Sequence, residues 1–152
     1  PLSGKAHRVY LMMAGSTNAM QSQIENGVVR VVYADGSSDS LLLINPETWC
    51  PIEQDFYDDG LAFNLKAKRP YRLHLKSGIV SRTLSAELGR DSKDAAHSVD
   101  LNSTGIFGNV LEGGAATLYD LPLDGQKELK QLEVEALSND VVIGLLGVTL
   151  QR

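Results

Sequence analysis

Residues 44–59, INPETWCPIEQDFYDD, gather most of the side chains that could do chemistry in this chain. The stretch holds five acids, three aromatic residues, the only tryptophan and the only cysteine. Glycosidases place two carboxyl groups roughly 5–10 Å apart across the scissile bond, and Glu47, Glu53 and Asp55 are the candidates for such a pair. Cleavage also needs a deep cleft, which a small domain scarcely provides. A small glycoside hydrolase using loop carboxylates is therefore the least favoured alternative.

The same stretch suits sugar binding better than sugar cleavage. Aromatic rings such as those of Trp49 and Tyr57 cover the apolar faces of pyranoses. The side chains of Glu53, Gln54 and Asp55 can accept or share hydrogen bonds with sugar hydroxyls. These five residues are the predicted ligand-binding set, and no catalytic residue is assigned. A structural alternative stays open, in which the aromatic rings only plug one end of the fold.

Metal and cofactor sites find little support in the spacing of residues. The three histidines lie far apart, and no two have the i, i+4 spacing of a zinc site. A structural calcium stays open, because calcium needs only carboxylates and carbonyls in an irregular loop. Its candidate ligands are Asp55, Asp58 and Asp59, or Asp91 and Asp94. No other cofactor is expected, since neither the P-loop nor the dinucleotide-binding glycine pattern occurs.

Length and charge restrict the classes of protein to which the chain can belong. With 152 residues, 43% of them apolar, we expect one domain over residues 1–152 with a single core. The net charge is −5, and no run of Lys or Arg could follow a phosphate backbone, so nucleic acid is not an expected partner. The longest apolar run, residues 141–150, is half of the roughly 20 residues that a membrane-spanning helix requires, so no membrane is expected either.

The elements that must position these residues are short strands. Two β-branched or leucine-rich runs flank Asp35-Gly36 within residues 27–44, which predicts a hairpin. Residues 71–76 alternate, which predicts that Tyr71, Leu73 and Leu75 face the core and that His74 points outward. Residues 132–136 alternate in the same way. Residues 141–150 are apolar on both faces, which predicts a central strand covered on each side.

Strands of this length and spacing predict an all-β fold, a two-sheet antiparallel β-sandwich or jelly roll. The segments YADG, NPETW, PIEQD and VVIGLLGVTL, within residues 5–84 and 113–150, resemble an uncharacterised family of domains of unknown function. Its members lie at the C-terminal end of large bacterial proteins associated with glycan breakdown. The module also resembles a galactose-binding-like jelly roll.

The resemblance implies a function but no ligand. It implies a C-terminal, non-catalytic accessory module of a larger secreted or periplasmic carbohydrate-active protein. Such a module would bind a polysaccharide or oligosaccharide, or pack against other domains of its own parent chain. The alternative is a purely structural interaction domain without a ligand. The chain begins at Pro1 rather than at a methionine, so we expect either that a leader has been removed or that the chain is a piece of a longer protein.

Overall fold

The computed structural model describes residues 1–18, 21–56, 68–88 and 108–152. Within these ranges the chain forms ten strands and one short helix. In chain order they are β1 (Arg8–Ser16), β2 (Glu25–Tyr33), β3 (Ser38–Ile44), β4 (Gln54–Phe56), β5 (Tyr71–His74), β6 (Val80–Ser81), α1 (Leu84–Glu87), β7 (Gly108–Val110), β8 (Ala115–Pro122), β9 (Leu129–Ala136) and β10 (Val142–Gln151). No helix among the described residues has the length and apolar character to cross a membrane.

The strands form two main antiparallel sheets. One has five strands in the order β10-β1-β8-β5-β6, and the other has three in the order β3-β2-β9. Strands β4 and β7 form a separate antiparallel pair. The prediction of a two-sheet antiparallel all-β sandwich is confirmed, while the finer likeness to a galactose-binding-like jelly roll stays a prediction.

The predicted hairpin is present as β2 and β3. Val29 lies opposite Leu41, and the two strands join at Asp35-Gly36. Gly36 has a φ of 86°, a left-handed conformation that glycine adopts without a steric penalty. The carboxylate of Asp35 accepts hydrogen bonds from the main-chain N–H and the hydroxyl of Ser37 at 2.8 and 2.6 Å, which closes the turn.

The core lies between β1 of one sheet and β2 of the other. Alternate residues of both strands face inward, as the period of a strand requires. The buried core residues on these two strands are Val9, Leu11 and Met13 of β1 and Val29, Val31 and Tyr33 of β2. Burial of each such side chain contributes about 1.5–3 kcal/mol, so this layer holds the sheets together.

The prediction for β5 had the wrong phase. Arg72 and His74 are buried, whereas Tyr71 is exposed and Leu75, just beyond the strand, is exposed as well. Both buried polar side chains find partners inside: the ring of His74 hydrogen-bonds the hydroxyl of Ser77 and the carbonyl of Glu112. Polar and apolar residues do alternate along β5, but its polar side chains face the interior because they form hydrogen bonds there.

The prediction for the last strand was also wrong. β10 is not central; it lies at the end of the five-stranded sheet. Ile143 and Leu150 pack against the core, but Val142, Leu145 and Leu146 are exposed. The apolar residues on both faces of β10 therefore do not mean that both faces are buried.

The two ends of the described chain lie side by side. In the pairing of β1 with β10, Arg8 is opposite Gln151. Beyond the strands, Nη2 of Arg152 donates a hydrogen bond to the carbonyl of Ser3 at 3.0 Å. The first and last strands thus close against each other.

Candidate functional site

Trp49 is a core residue rather than a surface platform. Its side chain is only 4% exposed and belongs to the main core cluster. The indole Nε1 donates a hydrogen bond to Oδ1 of the buried Asn26 at 3.1 Å. The ring also lies against Gly15, where an added Cβ would come within 2.7 Å of it. Trp49 therefore presents no ring face on which a sugar could stack, and its position is that of a structural core residue.

The chain around Trp49 is anchored by hydrogen bonds on both sides. The hydroxyl of Thr48 donates to the carbonyl of Leu42 at 2.7 Å and accepts from the main-chain N–H of Ile44, also at 2.7 Å. The hydroxyl of Tyr119 on β8 donates to the carbonyl of Thr48 at 2.8 Å. Burial raises the pKa of Tyr119, so its hydroxyl keeps the proton that it donates. These bonds fix the segment between β3 and β4 onto the five-stranded sheet.

Gln54 and Asp55 are buried as well. Oδ1 of Asp55 lies 3.4 Å from Nη1 of Arg69 and 3.5 Å from Nη1 of Arg72. Arg72 also donates to the main-chain carbonyls of Gln54, Pro51 and Ala115. The guanidinium group of Arg72 therefore joins β4 and the segment before it to β8. The side chains of Gln54 and Asp55, which were predicted to contact a ligand, do not lie on the surface.

The remaining residues of the predicted ligand-binding set are Glu53 and Tyr57. Glu53 is half-buried, and its carboxylate accepts a hydrogen bond from the hydroxyl of Ser16 at 3.4 Å. Tyr57 lies outside the described residues, so its predicted role stays a prediction. Glu47, a candidate in the glycosidase alternative, is half-buried and lines an open cleft.

That cleft has a volume of about 420 Å³ and contains the groups best placed to meet a ligand. Its walls come from the end of β3 and the segment after it, from β8, and from the residues around β5 and β6. The lining residues are Leu41, Glu47, Thr48, Lys68, Arg69, Pro70, Tyr71, Arg82, Leu118, Tyr119, Asp120 and Leu121. The cleft thus combines an exposed aromatic ring, three cations, two carboxylates and an apolar floor.

Tyr71 and Arg82 form the most distinctive pair in the cleft. The guanidinium carbon of Arg82 lies 3.9 Å from the centroid of the Tyr71 ring, which is a cation–π contact. The Tyr71 side chain remains 46% exposed. A guanidinium group that stacks by its face still offers N–H donors around its edge, so the pair can present an aromatic surface and hydrogen-bond donors together.

Arg69 lies between the interior and the cleft. Its Nη1 faces Asp55, while its Nε and Nη2 have no hydrogen-bond partner among the described residues. On the opposite wall, the carboxylate of Asp120 pairs with Nη1 of Arg8 at 2.5 Å. Both unpartnered nitrogens of Arg69 are buried, so Lys68 and Arg82 are the cations of the cleft that favour a ligand with its own oxygen acceptors, such as sugar hydroxyls or a carboxylate.

Sequence interpretation missed this cleft, although one local signal was present. Residues 68–72, KRPYR, place three cations around one tyrosine in a chain whose net charge is −5. The alternation around residue 71 assigned Tyr71 to the core, which hid that signal.

The possible structural calcium stays a prediction. Among the described residues, no group of three or more His, Cys, Asp or Glu side chains is placed to hold a metal ion. Asp55, one calcium candidate, faces two guanidinium groups. The other candidates, Asp58, Asp59, Asp91 and Asp94, lie outside the described residues. Cys50 is buried and forms no disulfide.

The cleft must be interpreted from its own residues. Its chemistry is that of a shallow binding surface, with an aromatic ring beside several cations. No family model, no curated protein and no solved structure matches this chain.

Proposed function

We propose that this chain is a non-catalytic accessory module of a larger secreted or periplasmic carbohydrate-active protein, and that it binds glycan in the cleft beside Tyr71. The observation that carries the proposal is the exposed Tyr71 ring, held by Arg82 at the edge of an open cleft. The resemblance of the sequence to C-terminal domains of glycan-processing proteins supports the same class of function.

The size and lining of the cleft support a small polar ligand. Small-ligand pockets typically enclose about 300–1,000 Å³, and this cleft of about 420 Å³ falls within that range. The rings of Tyr71 and Tyr119 and the leucine side chains supply apolar contact, while Lys68 and Arg82 supply polar donors. A sugar ring has the matching character, with apolar C–H faces and a rim of hydroxyls.

The charges in the cleft favour an acidic sugar over a neutral one. Lys68, Arg69 and Arg82 line it together with Glu47 and Asp120. Asp120 is paired with Arg8 and Arg69 is paired with Asp55, and both partners lie outside the cleft lining. Lys68 and Arg82 therefore outnumber the remaining acid, Glu47. Arginine binds carboxylates through two parallel hydrogen bonds, which adds both strength and orientation. A glycan that carries uronic acid groups is therefore the preferred ligand class.

The test compares Tyr71→Ala with Tyr10→Ala in affinity electrophoresis through gels that contain polygalacturonate or a neutral galactan. Tyr10 is the matched control, because it is 40% exposed, compared with 46% for Tyr71, and does not line the cleft. Loss of aromatic stacking is worth about 0.5–1.5 kcal/mol beyond burial, so we expect roughly tenfold weaker retention on polygalacturonate for Tyr71→Ala. Tyr10→Ala should match the unsubstituted protein. Equal retention of both variants would reject this binding site.

A second candidate function is a purely structural interaction domain without a ligand. It is favoured by the exposed apolar side chains of β10, which could pack against another domain of a parent chain. It predicts no retention on any polysaccharide. The small-hydrolase alternative has less support, because Asp55 is enclosed by two guanidinium groups instead of facing a substrate.

A further inference from the structure

The outer edge of β10 carries neither the charges nor the prolines that often keep an edge strand from pairing. β10 has ten residues, VIGLLGVTLQ, with no charged residue and no proline. No other strand of the described residues pairs with it on the side away from β1. Natural edge strands are commonly protected by charges, prolines or a covering loop, because their free N–H and C=O groups attract another strand. A ten-residue edge without charges or prolines, and without a partner strand among the described residues, is suited to pairing.

Inward-facing apolar side chains are exposed along the same side of the sandwich. On β10, Val148 lies opposite the buried Leu11 and Leu145 lies opposite the buried Met13, yet both are exposed. On β9, the end strand of the other sheet, Val134 lies opposite the buried Val29 and is exposed too. We call Val134, Leu145 and Val148 the open side, because no described residue closes the space between the two sheets there.

A bulge changes the phase of β10 at its middle. The pairing with β1 passes from Met12 opposite Gly147 to Met13 opposite Leu145. Leu146 is therefore an extra residue on β10. The inward-facing residues of β10 therefore have odd numbers before the bulge and even numbers after it.

This change of phase makes β10 complementary to itself. Ile143 and Leu145 face inward before the bulge, and Val148 and Leu150 face inward after it. Residues directly opposite each other in an antiparallel pair share a face of the sheet. When Leu145 is placed opposite Val148 of a second copy, Ile143 falls opposite Leu150, and inward meets inward along the whole strand. A shift of one residue would place inward residues opposite outward ones on both sides of the bulge.

We infer that β10 pairs antiparallel with β10 of a second copy of this chain, about a two-fold axis between Leu146 and Gly147. The pairing joins the two five-stranded sheets into one continuous sheet. It covers Leu145 and Val148 of each copy with the same residues of the other. Two-fold pairing also brings identical strands together, and a strand without charges meets no repulsion from its copy.

The area available is close to what a stable dimer needs. A ten-residue strand is roughly 33 Å long, and two packed sheets with their side chains are about 20 Å thick. The contact is therefore about 650 Å² per copy, against the ~800 Å² per partner of a standard interface. Main-chain hydrogen bonds between the two strands add to this contact.

The test is sedimentation equilibrium of the 152-residue chain at concentrations from about 1 to 100 µM, a range that detects micromolar dissociation constants. We expect twice the mass of one chain at the upper concentrations. Leu145→Lys should reduce it to the mass of one chain. The matched control is Leu42→Lys: Leu42 is 38% exposed, against 40% for Leu145, and lies on β3 at the end of the other sheet. It should leave the dimer intact.

A charge exchange tests the register. In the double variant Leu145→Lys with Val148→Glu, the introduced lysine of each copy faces the introduced glutamate of the other, so dimerisation should return. If Leu145→Lys does not fold, Leu146→Lys takes its place, because it brings two like charges together beside the axis. Retention on polygalacturonate should persist in every folded variant, which separates this inference from the proposed function.

Three results would overturn the inference. They are a single-chain mass at every concentration, a dimer that survives Leu145→Lys, or equal dissociation of the Leu42→Lys control. A double variant that stays monomeric would overturn the stated register.

Discussion

Nη1 of Arg72 lies 3.5 Å from Oδ1 of Asp55, and both side chains are almost fully enclosed by the protein. The same guanidinium group donates to the carbonyls of Pro51 and Ala115 at 2.8 and 3.1 Å. One buried cation thus satisfies a buried anion and main-chain acceptors from two separate segments. This arrangement explains why a charged residue of β5 faces the interior.

Removal of the Arg72 cation should strongly destabilise the fold. Arg72→Met leaves Asp55 with less compensation and leaves main-chain carbonyls without a donor, so we expect the free energy of unfolding to fall by about 3–5 kcal/mol. The control is Arg30→Met, which breaks an exposed ion pair with Glu135. It should change the free energy of unfolding by less than about 1 kcal/mol. Urea unfolding followed by circular dichroism measures both. Similar losses in the two variants would contradict an interior role for Arg72.

Trp49→Phe should weaken the fold without weakening glycan binding. The substitution removes the N–H that Oδ1 of the buried Asn26 accepts, and an unsatisfied buried acceptor costs about 1–3 kcal/mol. Thermal unfolding should show this loss, while affinity electrophoresis on polygalacturonate should show unchanged retention. Weaker retention at unchanged stability would restore Trp49 as a ligand-binding residue.

Alkaline pH should narrow the difference in stability between the unsubstituted protein and Tyr33→Phe. Burial, together with a hydrogen bond to Asp39, raises the pKa of Tyr33 from 10.0 to about 12. Below pH 10 the Tyr33 hydroxyl is protonated in both the folded and the unfolded state, so its contribution to the free energy of unfolding is fully present. Between pH 10 and about 12 the unfolded chain releases this proton and the folded chain keeps it, so stability falls as pH rises.

The measurement is urea unfolding of both proteins at several pH values across that interval. The phenylalanine variant lacks this titration, and Tyr119 titrates in both proteins and so cancels from the comparison. A constant difference in the free energy of unfolding through the interval would contradict a raised pKa for Tyr33.

Salt should weaken binding to an acidic glycan and leave binding to a neutral one unchanged. The Debye length, over which charges interact, falls from roughly 10 Å at 0.1 M salt to about 3 Å at 1 M. Retention on polygalacturonate should therefore decrease over that range, and Arg82→Gln should make it both weaker and less sensitive to salt. Arg30→Gln, which lies on β2 and does not line the cleft, serves as the control. Retention that does not depend on salt would argue for a neutral sugar.

Local patterns were sufficient to predict the sandwich. The hairpin of β2 and β3 follows from two β-branched or leucine-rich runs around Asp35-Gly36, because that turn and those strands depend on neighbouring residues. The alternation of β9 was also visible, since its inward positions, such as Val134, are apolar. These features concern contacts close in sequence.

The errors concern contacts between residues that are distant in sequence. The alternation pointed the polar face of β5 outward, because the carbonyl of Ala115 and the carboxylate of Asp55, which accept hydrogen bonds from Arg72, come from other strands. The apolar run of β10 gave no information on strand order, so its place at the edge was not predictable. The cleft was missed for the same reason, since Tyr71 and Arg82 meet only after β5 and β6 have paired.

The contact between Arg152 and Ser3 means that the chain is nearly a closed ring in space. A short peptide joining the two ends would complete that ring, and new ends could be opened in the exposed turn at Asp35-Gly36. Such a permuted chain would make the same sheets from a different order of synthesis, and a fused enzyme or label would then leave the molecule from the hairpin tip.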